Sequence, residues 1–182
     1  SVLLGMARPE SEKGELGNLS LLLDRLVDDA YDLSHGLWPL EHGPQSTGPS
    51  LSELAARLSR SSGVPIVFTQ RRACENCVSG NATQLFRIAQ EALANALKHA
   101  EPGRIEVDFH CRKGGMAELR VRDDGVGRSA AKPSKGGLGL GIMAHRARMI
   151  GGDLRIEDAP GGGTVVRCIA PCGIPPATWT EA

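Results

Sequence analysis

Apolar positions recur along this chain with two periods. From Asn18, residues Leu19, Leu23, Leu26, Ala30, Leu33 and Leu37 follow at alternating steps of four and three. Leu22 widens the stripe, and Asp24, Arg25, Asp28, Asp29 and Asp32 take the other faces. This spacing predicts an amphipathic helix with a narrow seam, suited to packing on another helix or on a second copy of itself. Pro39 ends it. Further on, Leu85, Ile88, Ala89, Ala92, Leu93 and Ala96 form one apolar face of a longer helix, opened by Asn81-Ala82-Thr83-Gln84 and ended by Pro102-Gly103. Ser50-Leu51-Ser52-Glu53 reads as a capping box, predicting a helix over 50–61 that Gly63 stops.

Period two takes over between these helices. Ile105, Val107 and Phe109, then Leu119 and Val121, alternate with polar neighbours, predicting two strands joined in a hairpin through Lys113-Gly114-Gly115. Residues 64–69 read as another strand, with Pro65 placing it near a start or an edge. A short helix over 142–150, closed by Gly151-Gly152, precedes strands around Leu154 and Ile156 and over 164–170, which are separated by Pro160-Gly161-Gly162-Gly163. Helices and strands alternate too irregularly for a doubly wound parallel sheet. The expected fold is α+β, a two-layer α/β sandwich with helices on one face of a mixed sheet. The segment 41–49, rich in Pro and Gly, reads as a linker. The expected organisation is an irregular stretch over 1–17, a helix and linker over 18–45, the main domain over 46–172, and a tail over 173–182.

Composition narrows the function. The chain has 182 residues, with 21 Lys plus Arg against 21 Asp plus Glu. A nucleic-acid binder normally carries a basic surplus, so no nucleic-acid partner is expected. No run approaches about 18 uninterrupted apolar residues, so no membrane segment is expected, and the first residues do not resemble a secretory signal. Only six residues are aromatic, which predicts an aliphatic core. Glycine is abundant, and 15 of the 23 fall between Gly103 and Gly173, as tight turns or close approach to a ligand would require. Five cysteines in such a chain read as reduced thiols. Cys74 and Cys77 have CxxC spacing and Cys168 and Cys172 have CxxxC, so a four-thiolate zinc site would need the two pairs to meet in space. The sequon-like Asn18-Leu19-Ser20 and Asn81-Ala82-Thr83 read more simply as helix starts.

Three constellations offer chemistry. On the long helix Gln84, Arg87, Glu91, Asn95 and Lys98 stand one above another. Glu91 and Asn95 could aim two oxygens at one point, one as a base and one as a neutral ligand for a hard cation such as Mg²⁺. Taken alone, this face could equally be a solvated one. In Val121-Arg122-Asp123-Asp124-Gly125-Val126-Gly127 a strand runs into two carboxylates and two glycines. A carboxylate there can accept from an exocyclic amino group, although an ordinary Asp-Gly turn has the same residues. Lys135-Gly136-Gly137-Leu138-Gly139-Leu140-Gly141 places four glycines before a helix, offering N–H groups and a positive dipole end to phosphate, or simply a flexible loop. No lysine precedes a Ser or Thr, which excludes a P-loop. No strand precedes Gly139-Leu140-Gly141, which excludes a dinucleotide fingerprint.

In order along the chain come Gln90-Glu91-Ala92-Leu93-Ala94-Asn95-Ala96-Leu97-Lys98-His99-Ala100, Asp123-Asp124-Gly125-Val126-Gly127, Gly137-Leu138-Gly139-Leu140 and Gly163-Thr164. This series resembles the N, G1, G2 and closing Gly-Thr motifs of the ATP-binding domain of sensor histidine kinases, within the group that includes gyrase, Hsp90-type and MutL-type ATPases. The resemblance covers roughly residues 50–171 and points to the nitrate-sensor-like subfamily of two-component kinases. The resemblance implies ATP and Mg²⁺ as cofactors, with Glu91 as the base that polarises the attacking nucleophile and Asn95 as the metal ligand. It implies that Lys98 sits near the phosphates, that Asp123 accepts from the adenine amino group, and that Gly125 and Gly127 let the ring approach. Gly137, Leu138, Gly139 and Leu140 would form the lid hinge, and Thr164 would lie near the base pocket.

The chain departs from the subfamily in two places. The helix over 18–37, ending Gly36-Leu37-Trp38-Pro39-Leu40, looks like the second helix of a dimerisation and phosphotransfer hairpin, but a first helix with an acceptor such as Glu-Leu-His-Asp is not present in the sequence. His35 reads as a surface or interface residue more readily than as the acceptor. Ala144-His145-Arg146 stands where Arg-Glu-Arg is usual. The implied function is a histidine kinase catalytic domain that transfers the γ-phosphoryl group of ATP to a histidine outside this segment. A response regulator would serve the parent kinase, the N-terminal seam would make a homodimer, and the location would be cytoplasmic, within a membrane-anchored parent or not. The alternative is a degenerate nucleotide-binding regulatory module without phosphotransfer; a serine kinase of anti-sigma-factor type fits the leucine seam less well.

Overall fold

The computed structural model describes residues 47–72, 79–112, 114–127 and 138–172. The helix expected over 18–37, with His35 and the dimer seam, and the tail from 173 lie outside them. So do Cys74, Cys77, Lys135 and Gly137.

The elements run α1 (Thr47–Ser62), β1 (Ile66–Gln70), α2 (Ser79–His99), β2 (Ile105–Arg112), β3 (Met116–Asp123), α3 (Leu138–Met149), β4 (Asp153–Asp158) and β5 (Thr164–Pro171). The five strands form one sheet in the order β1-β2-β3-β5-β4. β1 and β2 are parallel, because the chain crosses between them through α2, and all other pairs are antiparallel. The hairpin expected around Gly114 and Gly115 is present, with Arg112 opposite Met116. The mixed sheet with helices packed on it is the α+β architecture that the patterning predicts.

One face of the sheet is apolar and lies under the helices. Ile105, Val107 and Phe109 of β2, Ala117, Leu119 and Val121 of β3, and Val166, Cys168 and Ala170 of β5 are buried. Opposite them, α2 contributes Leu85, Ile88, Ala89, Ala92, Leu93 and Ala96, all buried, as its periodicity predicts. Burying such side chains is worth about 1.5–3 kcal/mol each for the larger ones, which is what fixes α2 on β3 and β5. The expectation of a purely aliphatic core needs correction. Phe86 and Phe109 are among its largest fully buried side chains, so two of the three phenylalanines are spent at its centre.

The other face of the sheet is polar and centred on Glu118. Arg167 Nε donates to Glu118 Oε1 at 2.6 Å, Arg112 Nε lies 2.9 Å from Oε2, and His110 Nε2 lies 3.6 Å from it. Burial works against ionisation of this carboxyl, but the Arg167 hydrogen bond and the charges of Arg167, Arg112 and His110 together hold its pKa below the ordinary value.

Helix starts differ from the sequence reading. α1 begins at Thr47, so Ser50 lies inside its first turn and does not cap it, and residues 47–49, read as linker, are helical. Pro49 is tolerated there because a first-turn N–H has no intrahelical acceptor. α2 begins at Ser79, and the Asn81 amide reaches across to donate to the Pro171 carbonyl at 2.8 Å. Asn81 is therefore a tertiary anchor for α2. α3 begins at Leu138, inside the glycine run read as loop. Among the described residues, no helix is long and apolar enough to cross a membrane.

Candidate functional site

Three backbone segments converge where β3 ends. Asp123, the last residue of β3, is only 5% exposed. Its Oδ1 accepts from the Gly125 N–H at 3.0 Å and from the Thr164 N–H at 3.1 Å, at the start of β5. Both bonds fall on one oxygen, which fixes the carboxylate plane and leaves Oδ2 to accept from another donor. Val126 N–H donates to the Ala100 carbonyl at 2.9 Å, pinning the turn after β3 to the end of α2. Asp124, exposed, accepts from the Arg104 N–H at 2.8 Å and closes the same junction from outside.

The glycines here serve the close packing of backbone on backbone. A Cβ on Gly125 would collide with the Ala100 carbonyl, so its bareness serves the approach of α2. Gly163 has φ 87° and lies against the Asp123 backbone carbonyl, where no side chain fits. Gly127, φ 74°, faces the Gly163 carbonyl and the Asp158 carboxylate. The close packing of these turns is what carries Thr164 N–H to Asp123.

The second cluster lies along α2. Asn95 Nδ2 donates to Glu91 Oε1 at 3.1 Å, an i, i+4 contact that leaves Asn95 Oδ1 and Glu91 Oε2 as oxygens for other partners. Both residues are half-buried, and Lys98 is exposed in the last turn. Asn95 precedes Ala100 by five residues, about 7.5 Å of helix axis, so the two clusters share one end of the domain. Above Glu91 sits the first turn of α3, where a Cβ on Gly139 would run into the Glu91 carboxylate. Gly141 has open space around it, and Leu140 is exposed. The first turn of α3 carries no acidic residue of its own, so its N–H groups and positive dipole end stand beside the Glu91 carboxylate and Asn95. Neutral amide oxygen, carboxylate oxygen and helix N-terminus form a donor set that fits a hard cation with phosphate oxygens.

The structure thus brings Asp123, Gly125, Gly127 and Thr164 into one cluster. Glu91, Asn95, Leu138, Gly139 and Leu140 form the other. Leu138 to Leu140 are the opening turn of a helix, where a hinge loop is the expectation, and Gly137 lies outside the described residues. Sequence reasoning missed one further contact. Arg146, 4% exposed on α3, donates from Nη1 to Gln84 Oε1 at 3.0 Å, two turns before Glu91 on α2. A buried arginine on a short helix gives little warning of its partner until α3 is seen to lie on α2.

Comparison with known proteins gives the family of this fold. Residues 80–174 match the family of histidine kinase-, DNA gyrase B- and HSP90-like ATPases. The nitrate/nitrite sensor protein NarQ of Escherichia coli is 39% identical over 82 residues, 45% of this chain and 14% of that protein. The oxygen sensor histidine kinase NreB of Staphylococcus carnosus is 27% identical over 175 residues, 93% of this chain and 50% of that one. The chain thus spans half or less of the length of these curated relatives. Among solved structures, the mycobacterial sensor histidine kinase MprB superposes with a TM-score of 0.55 at 28% identity, covering 69% of this chain and 95% of that one. The chain belongs to the histidine kinase-, DNA gyrase B- and HSP90-like ATPase family, and its fold is that family's ATP-binding domain.

Proposed function

We propose that the chain is the catalytic part of a sensor histidine kinase, transferring the γ-phosphoryl group of ATP to a histidine outside this segment in two-component signalling. The observation that carries the reading is the Glu91–Asn95 pair, set under the N-terminus of α3 and one helix end away from the Asp123 carboxylate. Asp123 Oδ2 accepts from the adenine amino group, while Oδ1 is held by Gly125 and Thr164 so that the carboxylate cannot turn away. Asn95 Oδ1 would hold Mg²⁺, which when bound would neutralise charge on the phosphate oxygens. Glu91, oriented by the Asn95 amide, accepts the proton of the attacking imidazole through its other oxygen. The N–H groups of α3's first turn meet phosphate, Leu138, Gly139 and Leu140 form the base of the lid with Gly137, and Lys98 adds positive charge at the rim. The relatives are sensor kinases, which supports a response regulator as the partner of the parent protein and a cytoplasmic location for this domain.

Calorimetric titration with ATP and Mg²⁺, followed by assay of phosphate transfer to a phosphotransfer hairpin supplied separately, tests the proposal. Binding with transfer that Glu91→Gln removes is the expected result. A folded chain that binds no adenine nucleotide overturns it, and binding without transfer returns the regulatory-module reading. The seam at Leu19, Leu23, Leu26, Leu33 and Leu37 makes a parallel homodimer in this reading; a monomer in sedimentation at high concentration refutes that part alone.

A further inference from the structure

Helices α2 and α3 meet at two places with matching spacing. Seven residues separate Gln84 from Glu91 on α2, and seven separate Gly139 from Arg146 on α3. Seven residues make about two turns, so each pair stands on one face of its helix. Gly139 lies against Glu91, and Arg146 Nη1 donates to Gln84 Oε1 at 3.0 Å. The later residue of one helix meets the earlier residue of the other, so α3 runs antiparallel along α2 over both contacts. The contacts differ in what they can hold. At the Glu91 end, Gly139 and Gly141 have no side chain to pack and Leu140 is exposed, so these three positions supply no side-chain anchor. Just past the other end of α3, Gly152 is pressed against the Ile169 carbonyl of β5, which fixes where the helix stops. Met143 and Ala147 are buried along its length, but apolar contact is non-directional and leaves a helix free to turn and tilt. Arg146 is only 4% exposed, and a buried guanidinium is costly to leave unpaired, so its bond to Gln84 resists both movements. Turning α3 by one residue rotates it by about 100° and carries Arg146 out of reach of Gln84.

We infer that Arg146 is a positioning residue: its hydrogen bond to Gln84 sets the face that α3 turns to α2, and so holds the first turn of α3 over the Glu91–Asn95 pair. It acts through α3 and not on the phosphate. Its effect on phosphate transfer rests on the kinase reading above, whereas its effect on α3 rests on the helix contacts alone.

The test uses the whole chain carrying Gln84→Leu, Gln84→Glu or Arg146→Gln. Leucine removes the acceptor at similar size and leaves Arg146 itself unchanged, while glutamate keeps an acceptor oxygen at the same reach. Two quantities are measured on each variant. One is hydrogen–deuterium exchange of the peptide covering α3, read by mass spectrometry. The other is phosphate transfer, at saturating ATP and Mg²⁺, to a phosphotransfer hairpin supplied separately. In Gln84→Leu and Arg146→Gln, α3 should exchange faster while α2 and the sheet keep wild-type protection, and transfer should fall roughly tenfold to a hundredfold. Gln84→Glu should keep both at wild-type values. A role in packing alone predicts the reverse order, with leucine the milder change. Gln84→Leu decides the matter if Arg146→Gln does not fold. Transfer at the wild-type rate in Gln84→Leu overturns the inference, as does unchanged exchange in α3 or a Gln84→Glu as impaired as Gln84→Leu. A wild type that transfers no phosphate overturns the kinase reading instead, and exchange in α3 then decides the role of Arg146 by itself.

Discussion

Asp123 and Glu91 are both carboxylates facing the proposed nucleotide, but the molecule treats them differently. Asp123 is nearly sealed, with two backbone N–H groups on one oxygen and glycines on either side pressed against backbone. Glu91 is half-exposed on a helix face, and it accepts its hydrogen bond from the Asn95 side chain. The first is held by main chain that cannot move without unfolding a strand end. The second is held by groups that can reorient, under a helix start rich in glycine. Recognition of a flat base calls for the rigid kind of site, and chemistry at a phosphate that must arrive and leave calls for the adjustable kind.

Substitutions can break this contrast, and the largest effect is expected at the adjustable end. Glu91→Gln should lower phosphate transfer by about 10²–10⁴-fold, the usual range for a general base, while calorimetry shows ATP binding retained. Transfer at wild-type rate would remove Glu91 from the chemistry. Gly163→Ala comes next, through stability. A Cβ at φ 87° against the Asp123 carbonyl should cost about 3 kcal/mol, read as a lower midpoint in denaturant. An unchanged midpoint would mean that the junction is looser than its hydrogen bonds indicate.

Asp123→Asn keeps the shape of the side chain but removes its charge, and should weaken ATP binding roughly tenfold to a hundredfold. Equal affinity would place the adenine elsewhere. Gly139→Ala sharpens the comparison, because its Cβ collides with the movable end of Glu91 and touches the Asn95 amide, both side chains that can give. Thermal stability should hold or rise, since alanine favours a helix by about 1 kcal/mol, while transfer falls on the order of tenfold. A loss of stability like that of Gly163→Ala would erase the distinction between the two ends.

The smallest effect belongs to Glu118, away from both. Its pKa is lowered from 4.5, so its ion network contributes fully above that pH and is lost as pH falls through the lower, folded value. Glu118→Gln should therefore narrow the gap in unfolding free energy between about pH 7 and about pH 3. A gap as wide as the wild type's would assign the acid sensitivity to other carboxylates.

Periodicity alone was enough for the strands, for the buried face of α2 and for the α+β class, because alternation at two and at about 3.6 residues is dictated by which side faces water. The ordered motifs were likewise legible as residue types, and Glu91 with Asn95 could be paired from their spacing on one helix. Helix beginnings were not legible. Thr47 and Ser79 open their helices where capping signals pointed to Ser50 and Asn81, and the Asn81 side chain is engaged instead by Pro171, ninety residues away. The glycines were visible, but not what they approach: Gly125 meets Ala100, and Gly139 meets Glu91. The same holds for Arg146 with Gln84. Patterns within one element follow from local geometry and burial, which the sequence determines by itself. Contacts between elements depend on sheet register and on how α2 and α3 lie together, and only the tertiary structure decides those.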